Sequence, residues 1–316
     1  MENLEVKKNF WRNKKVLITG NLGFKGSWLC LQLDFLKASI YGIDNKSSNS
    51  SLISNHLKKY LKKQYLCDVK DLKKLKMIIA KVNPDIIIHL AAQPLVIESV
   101  QNPISTFEVN ILGTVNILEA SRNQKKLKSI LIVTTDKVYK NNEKNTYFSE
   151  NNELGGDDPY SASKASAEII CNSFNNSFFK NSKINLASAR AGNVIGGGDV
   201  SPNRLVPDIF RAIKKNNNLK IRNKNHVRPW QHVLDCNNGY LTLIEKLYFS
   251  NDYSGSWNFS SNYRNYTVQN ICDEFSKKLN LKYTYSKKIN NEKKTLALNS
   301  FKSRRKLKWK NYLSFK

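Results

Sequence analysis

The stretch Lys15-Val16-Leu17-Ile18-Thr19-Gly20-Asn21-Leu22-Gly23-Phe24-Lys25-Gly26-Ser27-Trp28-Leu29-Cys30 decides the fold. Its first five residues are a β-rich run closed by glycine, and from Gly26 to Leu33 the apolar residues take helical spacing. The stretch therefore reads as strand, turn, helix. Glycine at 20, 23 and 26 permits a tight turn and lets the backbone approach a pyrophosphate. The charge of such a group is stabilised by the free N–H groups and dipole of a helix N-terminus. An ordinary glycine turn is the alternative, because the spacing is not the common Gly-x-Gly-x-x-Gly.

Outward from this unit the same alternation repeats. Ser39 to Asp44 is a second strand, followed by a polar loop at 45–51 and a lysine-rich amphipathic stretch to about residue 64. A short strand ends at Asp68, and residues 71–82 have helical spacing closed by Pro84. Asp85 to Leu90 is apolar enough to be buried on both faces. A helix over 103–123, a strand over 129–134, a helix over 159–179 and a last core strand over 184–189 follow. Strands alternating with helices predict an α/β fold with a Rossmann-type doubly wound parallel sheet. Beyond Arg190 the regularity fades, so residues 1–190 are expected to form the dinucleotide-binding domain. Residues 191–316 are then a smaller mixed α/β substrate-binding lobe, with the chain crossing between the two.

Composition bounds the function. The chain has 316 residues, with 52 Lys and Arg against 25 Asp and Glu, a formal net charge of +27. Such a balance first suggests nucleic acid or an acidic membrane surface. The basic residues are scattered in pairs such as Lys14-Lys15, Lys62-Lys63 and Lys287-Lys288 among many Asn, however, and are not gathered on one motif. Neither a nucleic-acid nor a membrane partner is therefore expected. No apolar run approaches the ~20 residues of a membrane span, and the N-terminal residues lack the apolar core of a signal peptide. A cytoplasmic location is expected. Five dispersed cysteines without Cys-x-x-Cys spacing read as reduced thiols, and four dispersed histidines give no case for a metal site.

Three further motifs carry chemistry. Asp44 ends the second strand about twenty residues after the glycine turn. A carboxylate there accepts hydrogen bonds from the adenosine ribose hydroxyls and repels a 2′-phosphate, favouring NAD over NADP. A loop-starting Asp before Asn45 is the alternative. Tyr160 and Lys164 stand four residues apart on one helical face, where a nearby cation favours phenolate and Tyr160 is placed to take a hydroxyl proton. Thr134-Thr135-Asp136-Lys137 follows an apolar strand, so its side chains emerge at the carboxyl edge of the sheet, where open α/β folds bind ligands.

The glycine turn, His89-Leu90-Ala91-Ala92-Gln93, Asn110-Ile111-Leu112-Gly113-Thr114 and Tyr-x-x-x-Lys resemble the extended short-chain dehydrogenase/reductase family over nearly the whole chain. Four blocks are similar to its nucleotide-sugar 4,6-dehydratases, the CDP-glucose enzymes in particular. They are Gly23 to Trp28, Thr135 to Tyr139, Leu154 to Tyr160 and Arg228-Pro229-Trp230-Gln231-His232-Val233. The resemblance implies a lyase cycle on one bound NAD that turns CDP-glucose into its 4-keto-6-deoxy product and water. It serves deoxysugar pathways for cell-surface polysaccharide such as lipopolysaccharide O-antigen. The implied catalytic residues are Thr135, Asp136, Lys137, Tyr160 and Lys164. Tyr160 removes the 4-hydroxyl proton with Thr135 on that oxygen, Asp136 protonates the leaving 6-hydroxyl, and Lys137 stands where related enzymes carry a Glu base. A lysine base must be neutral, which requires desolvation or a neighbouring cation.

The same resemblance places Gly20, Asn21, Gly23, Phe24, Lys25 and Asp44 around the cofactor, Asp68 and Val69 beside the adenine, and Ala91, Ala92 and Gln93 along the nicotinamide side. Tyr160 and Lys164 also touch the cofactor. Asn193, Arg204, Arg222, Arg228, Gln231 and His232 clamp the substrate, arginine being suited to bidentate phosphate recognition. Pairing as a homodimer through the helices of Asn110 to Glu119 and Tyr160 to Phe174 is implied as well. The chain departs from the pattern at Val200, where a Trp is usual, and at Asn299, where an Asp is usual. It stops at Lys316, where relatives continue with a further helical segment. The rival readings are a nucleotide-sugar 4-epimerase, a dehydratase of another nucleotide sugar, and a non-catalytic NAD-binding sensor.

Overall fold

The structure, a computed structural model, describes residues 7–45, 51–143, 147–261, 266–286 and 293–313. Residues 46–50 of the expected polar loop and the pair Lys287-Lys288 lie outside them. The apolar runs pair as parallel strands in a seven-stranded sheet among the described residues. Its order is Gly255–Phe259, Asn185–Ala191, Ser129–Val133, Ile86–His89, Lys15–Thr19, Ser39–Asp44, Lys63–Leu66.

Strand periodicity explains the two layers. Val16 and Ile18 face one core with Ile86, Ile88, Leu131 and Val133, whereas Leu17, Ile87, Ile130 and Ile132 face the other. Successive side chains of a strand point to opposite faces, so each run must be apolar throughout to be covered on both sides. The first core is closed by the helices Phe24–Phe35 and Val233–Phe249, with Leu307 and Trp309. The second is closed by Leu72–Val82, Gly113–Ser121 and Pro159–Phe174. A third cluster gathers Val206, Ile209, Ile221, Trp230, Ile271 and Cys272. It lies between the helices Leu205–Lys214 and Val268–Leu279 and beside a parallel pair of strands, Leu219–Ile221 and Tyr283–Tyr285.

Two elements differ from the sequence reading. Gly255–Phe259 extends the sheet beyond the strand expected to be its last, pairing Trp257 with Ala189 and Phe259 with Ala191. Gly-Ser-Trp-Asn-Phe has no apolar run to announce it, because its Asn258 is buried by hydrogen bonds rather than by hydrophobicity. The helices expected over 103–123 and 159–179 each contain a π-helical turn, Glu108–Leu112 and Asn175–Phe179. Among the described residues no helix is long and apolar enough to cross a membrane.

Strand order reverses between Lys15–Thr19, which is followed outward by Ser39–Asp44, and Ile86–His89, which leads the other way. Sheets of this kind bind ligands at that switch point, in the crevice outside the carboxyl ends of the strands.

Candidate active site

Gly20 opens the crevice with φ 71°, a left-handed conformation, and a Cβ there would stand 2.6 Å from the Ala91 backbone nitrogen. Only glycine lets the first turn lie so close to the Leu90–Ala91 backbone. Gly26 is as crowded, 2.2 Å from the Gly20 carbonyl, which packs the helix onto its own turn. The helix begins after Gly23, and no side chain caps it. Its first-turn N–H groups thus face the crevice without a side-chain acceptor, which suits a bound diphosphate. Asp44 accepts from the Leu22 N–H at 2.9 Å and the Asn45 N–H at 2.9 Å, so its carboxylate is fixed beside the glycine turn.

The other expected cofactor residues fall around the same edge. Asn21 is buried, its amide exchanging hydrogen bonds with Gln64, so its side chain ties the turn to the neighbouring strand. Phe24 is buried, and Lys25 Nζ donates to the Tyr240 hydroxyl at 3.2 Å, burial lowering its pKa. Asp68 accepts from the Lys70 N–H at 2.9 Å, while Val69 is buried with its carbonyl held by Asn116. Ala91 and Ala92 are half-buried. Gln93 is framed by Asn110, which accepts from its N–H, donates to its carbonyl and donates to Ser163 Oγ on the Tyr160 helix.

Across the crevice the strand Ser129–Val133 delivers Thr135 and Asp136, and the helix Pro159–Phe174 delivers Tyr160 and Lys164. Asp158 caps that helix through the Ser161 N–H at 3.0 Å, fixing the turn that carries Tyr160. Thr135 Oγ1 donates to Asp136 Oδ1 at 3.0 Å. Asp136 Oδ2 is buried without a hydrogen-bond partner, and burial raises the carboxyl's pKa against the opposing pull of Lys137, Thr135 and Arg228. Lys137 is half-buried, its N–H donating to Thr135 Oγ1 at 3.4 Å. Lys164 Nζ donates to the Val133 carbonyl at 3.1 Å, and burial together with Lys25 brings its pKa down to about 8.

Tyr160 departs from expectation. Burial pushes its phenol up to about 12, opposed chiefly by Thr135 and more weakly by Arg204, while Asp136 adds to the rise. Desolvation is the largest cause of that rise.

The expected substrate residues approach from the far side. Arg228 is buried, Nη2 lying 3.0 Å from His226 Nδ1, and its charge acts on Asp136. The Asn193 carbonyl accepts from the Gln231 N–H at 3.0 Å. Gln231 donates to the Phe259 carbonyl at 2.8 Å, leaving a buried Oε1 without a partner. His232 caps the helix Val233–Phe249, accepting from the Leu234 N–H at 3.2 Å, and burial lowers its pKa. Arg204 pairs with Asp199 at 3.3 Å. Arg222 is exposed just past the strand Leu219–Ile221.

A glycine crook at a topological switch point, facing a Thr-Asp and a Tyr-Lys pair, has relatives. The profile of the family GDP-mannose 4,6 dehydratase matches residues 17–316. The chain belongs to that family. It is 42% identical over 262 residues to CDP-glucose 4,6-dehydratase of Salmonella typhimurium, spanning 80% of this chain and 73% of the relative. It is 31% identical over 253 residues to UDP-glucose 4-epimerase of Mycoplasma genitalium, 72% of this chain and 71% of the relative. The solved structure of a dTDP-glucose 4,6-dehydratase from Streptomyces venezuelae with NAD bound superposes with TM-score 0.84. That match has 19% identity, covers 95% of this chain and 93% of the other, and shares the fold.

Within the family fold, sequence reasoning missed the residues that hold the site together. Asn110 lay inside a quoted motif without a role. Glu168 and Arg190, a buried ion pair at 2.9 Å behind the Tyr160 helix, carried no signal beyond being single charges in otherwise apolar segments.

Proposed function

We propose that the chain is an NAD-dependent nucleotide-sugar 4,6-dehydratase that converts CDP-glucose to CDP-4-keto-6-deoxyglucose and water. The observation that carries this reading is Asp136, a buried carboxyl bonded by Thr135 and close enough to the Tyr160 phenol for its charge to act on it. Burial favours its protonated form, so it is an acid able to hand a proton to a departing hydroxyl. A 4-epimerase needs no such acid.

Tyr160 takes the proton of the sugar 4-hydroxyl, with the Thr135 hydroxyl bonded to the same oxygen. The chemistry NAD would supply when bound is that of a hydride acceptor at C4 and a hydride donor at C6. Lys137 takes the C5 proton once C4 is a ketone, while Asp136 gives its proton to the 6-hydroxyl, which leaves as water, and Lys137 hands its proton back to C5 as C6 is reduced. Lys164 holds the nicotinamide ribose, and Asp44 the adenosine ribose. The first turn of Phe24–Phe35, reached over Gly20, Asn21, Gly23 and Lys25, receives the diphosphate. Asp68 and Val69 flank the adenine, and Ala91, Ala92 and Gln93 line the nicotinamide. The segment of residues 193–232 supplies Asn193, Arg204, Arg222, Arg228, Gln231 and His232 to the nucleotide sugar.

The 42% identity to a CDP-glucose enzyme supports cytidine over other bases. Pairing as a homodimer is supported by exposed Leu112 and Ile169 along the helices that the family resemblance implicates. A cytoplasmic enzyme feeding deoxysugar synthesis fits the same reading. The test is incubation with CDP-, dTDP-, UDP- and GDP-sugars, followed by the absorbance of a 4-keto-6-deoxy product in alkali. CDP-glucose is expected to react. Reaction of a GDP- or UDP-sugar alone overturns the cytidine assignment, and a 4-epimer without that absorbance overturns dehydration.

A further inference from the structure

The helix that carries Tyr160 has a second polar attachment that the reaction above does not use. Lys164 and Glu168 stand one turn apart on Pro159–Phe174 and so share a face. Lys164 Nζ donates to the Val133 carbonyl at 3.1 Å, and Thr134 Oγ1 donates to Glu168 Oε1 at 2.5 Å. Two successive residues at the end of the strand are thus gripped by two successive turns of the helix. Ser188 Oγ at 2.6 Å and Arg190 Nη2 at 2.9 Å hold the other carboxylate oxygen. Arg190 in turn donates to the Tyr139 hydroxyl, which donates to Asn258 Oδ1 at 2.7 Å. All seven side chains are buried, so the grip is rigid and its bonds act in a low dielectric.

Thr134 is covalently next to Thr135, and Glu168 lies two turns beyond Tyr160. Whatever fixes Thr134 on Glu168 therefore fixes the hydroxyl and carboxyl of residues 135 and 136 against the phenol. We propose that Glu168, acting through the Thr134 hydroxyl, is a positioning residue that sets the spacing of Thr135 and Asp136 from Tyr160, an inference that rests on the dehydratase reading above. Proton transfers from two elements to one sugar demand that spacing, and a misplacement of ~1 Å costs on the order of a hundredfold in rate.

Glu168 itself is a poor probe, since its loss leaves Arg190 buried without a counter-charge and threatens folding. Thr134→Val removes the hydroxyl while keeping the shape, and Thr134→Ser restores it. With CDP-glucose, Thr134→Val is expected to lower kcat about tenfold or more with KM changed less than about twofold, and Thr134→Ser to recover most of kcat. A merely structural role predicts a lower melting temperature for Thr134→Val with kcat per folded molecule unchanged, and that result overturns the proposal. Equal kcat loss in the Val and Ser variants overturns it too, because the hydroxyl is then not the grip. Wild-type protein measured in parallel separates the two levels. No turnover of any nucleotide sugar removes the dehydratase reading and the proposal together, whereas normal wild-type turnover leaves the variants to decide on positioning alone.

Discussion

Replacing Asp136 by Asn separates the half-reactions of the proposed cycle. The substitution keeps Oδ1 as an acceptor for Thr135 Oγ1, now 3.0 Å away, and keeps the side-chain volume. It removes only the transferable proton. General acid catalysis contributes about 10²–10⁴-fold, or ~2.7–5.4 kcal/mol of barrier, so product formation should fall by that factor. Oxidation at C4 depends on Tyr160 and Thr135 and should survive, so reduced nicotinamide should accumulate in a single-turnover absorbance trace while little alkali-absorbing product forms. The same variant carries a stability signature. Burial raises the Asp136 pKa, so above the ordinary carboxylate value of ~3.9 the folded state binds more protons than the unfolded one, and stability falls as pH rises to the folded value. Asn carries no such cost. Asp136→Asn should therefore melt higher than wild type at neutral pH, with the difference vanishing in acid. Product formation at the wild-type rate, or a variant that melts lower at neutral pH, refutes the assignment of Asp136 as a buried acid.

Gly20→Ala should abolish cofactor binding and lower stability. The left-handed φ of 71° costs an L-residue ~1–2 kcal/mol, and the new methyl would meet backbone at 2.6 Å; calorimetric titration with NAD and a thermal melt check both effects. Far from the site, Glu245 accepts from Trp11 Nε1 and the Lys7 N–H, and burial pushes its pKa up to about 7. Its folded value exceeds its unfolded one, so its contribution is fully present in acid and declines as pH rises from ~4.5 to about 7. Glu245→Gln should thus stabilise the protein by on the order of 2 kcal/mol at pH 8 and by nothing near pH 4, measured by denaturant melts at the two pH values.

How much the sequence tells follows from the range of the interactions. The strands at 15–19, 86–89 and 129–133 are legible because each must be apolar on both faces, a property written into four or five consecutive residues. The Tyr160–Lys164 pair is legible because i,i+4 spacing and the end of a strand are local facts. Gly255–Phe259 is not. Its Asn258 is tied to the Phe148 carbonyl and the Tyr139 hydroxyl, partners more than a hundred residues away. The helix Val233–Phe249 hides in a similar way, since it is buried on every side with Asp235, Asn237 and Asn238 inside, and shows no clean apolar stripe. Spacing gives Tyr160 and Lys164 a shared face, but it does not give the direction of the ammonium, which a strand carbonyl receives.

Two buried carboxyls stand at opposite ends of the Thr134–Asp136 segment, and their hydrogen bonds tell them apart. Glu168 receives three donors, Thr134, Ser188 and Arg190, and faces a guanidinium. A carboxylate held by three side chains at once serves as a fixed anchor. Asp136 receives one side-chain donor, Thr135, and leaves Oδ2 with none. The adjacent threonines divide the work: Thr134 bonds the Glu168 anchor, which ties the segment to the helix of Tyr160, and Thr135 bonds Asp136, which orients the carboxyl that the proposed reaction uses as its acid.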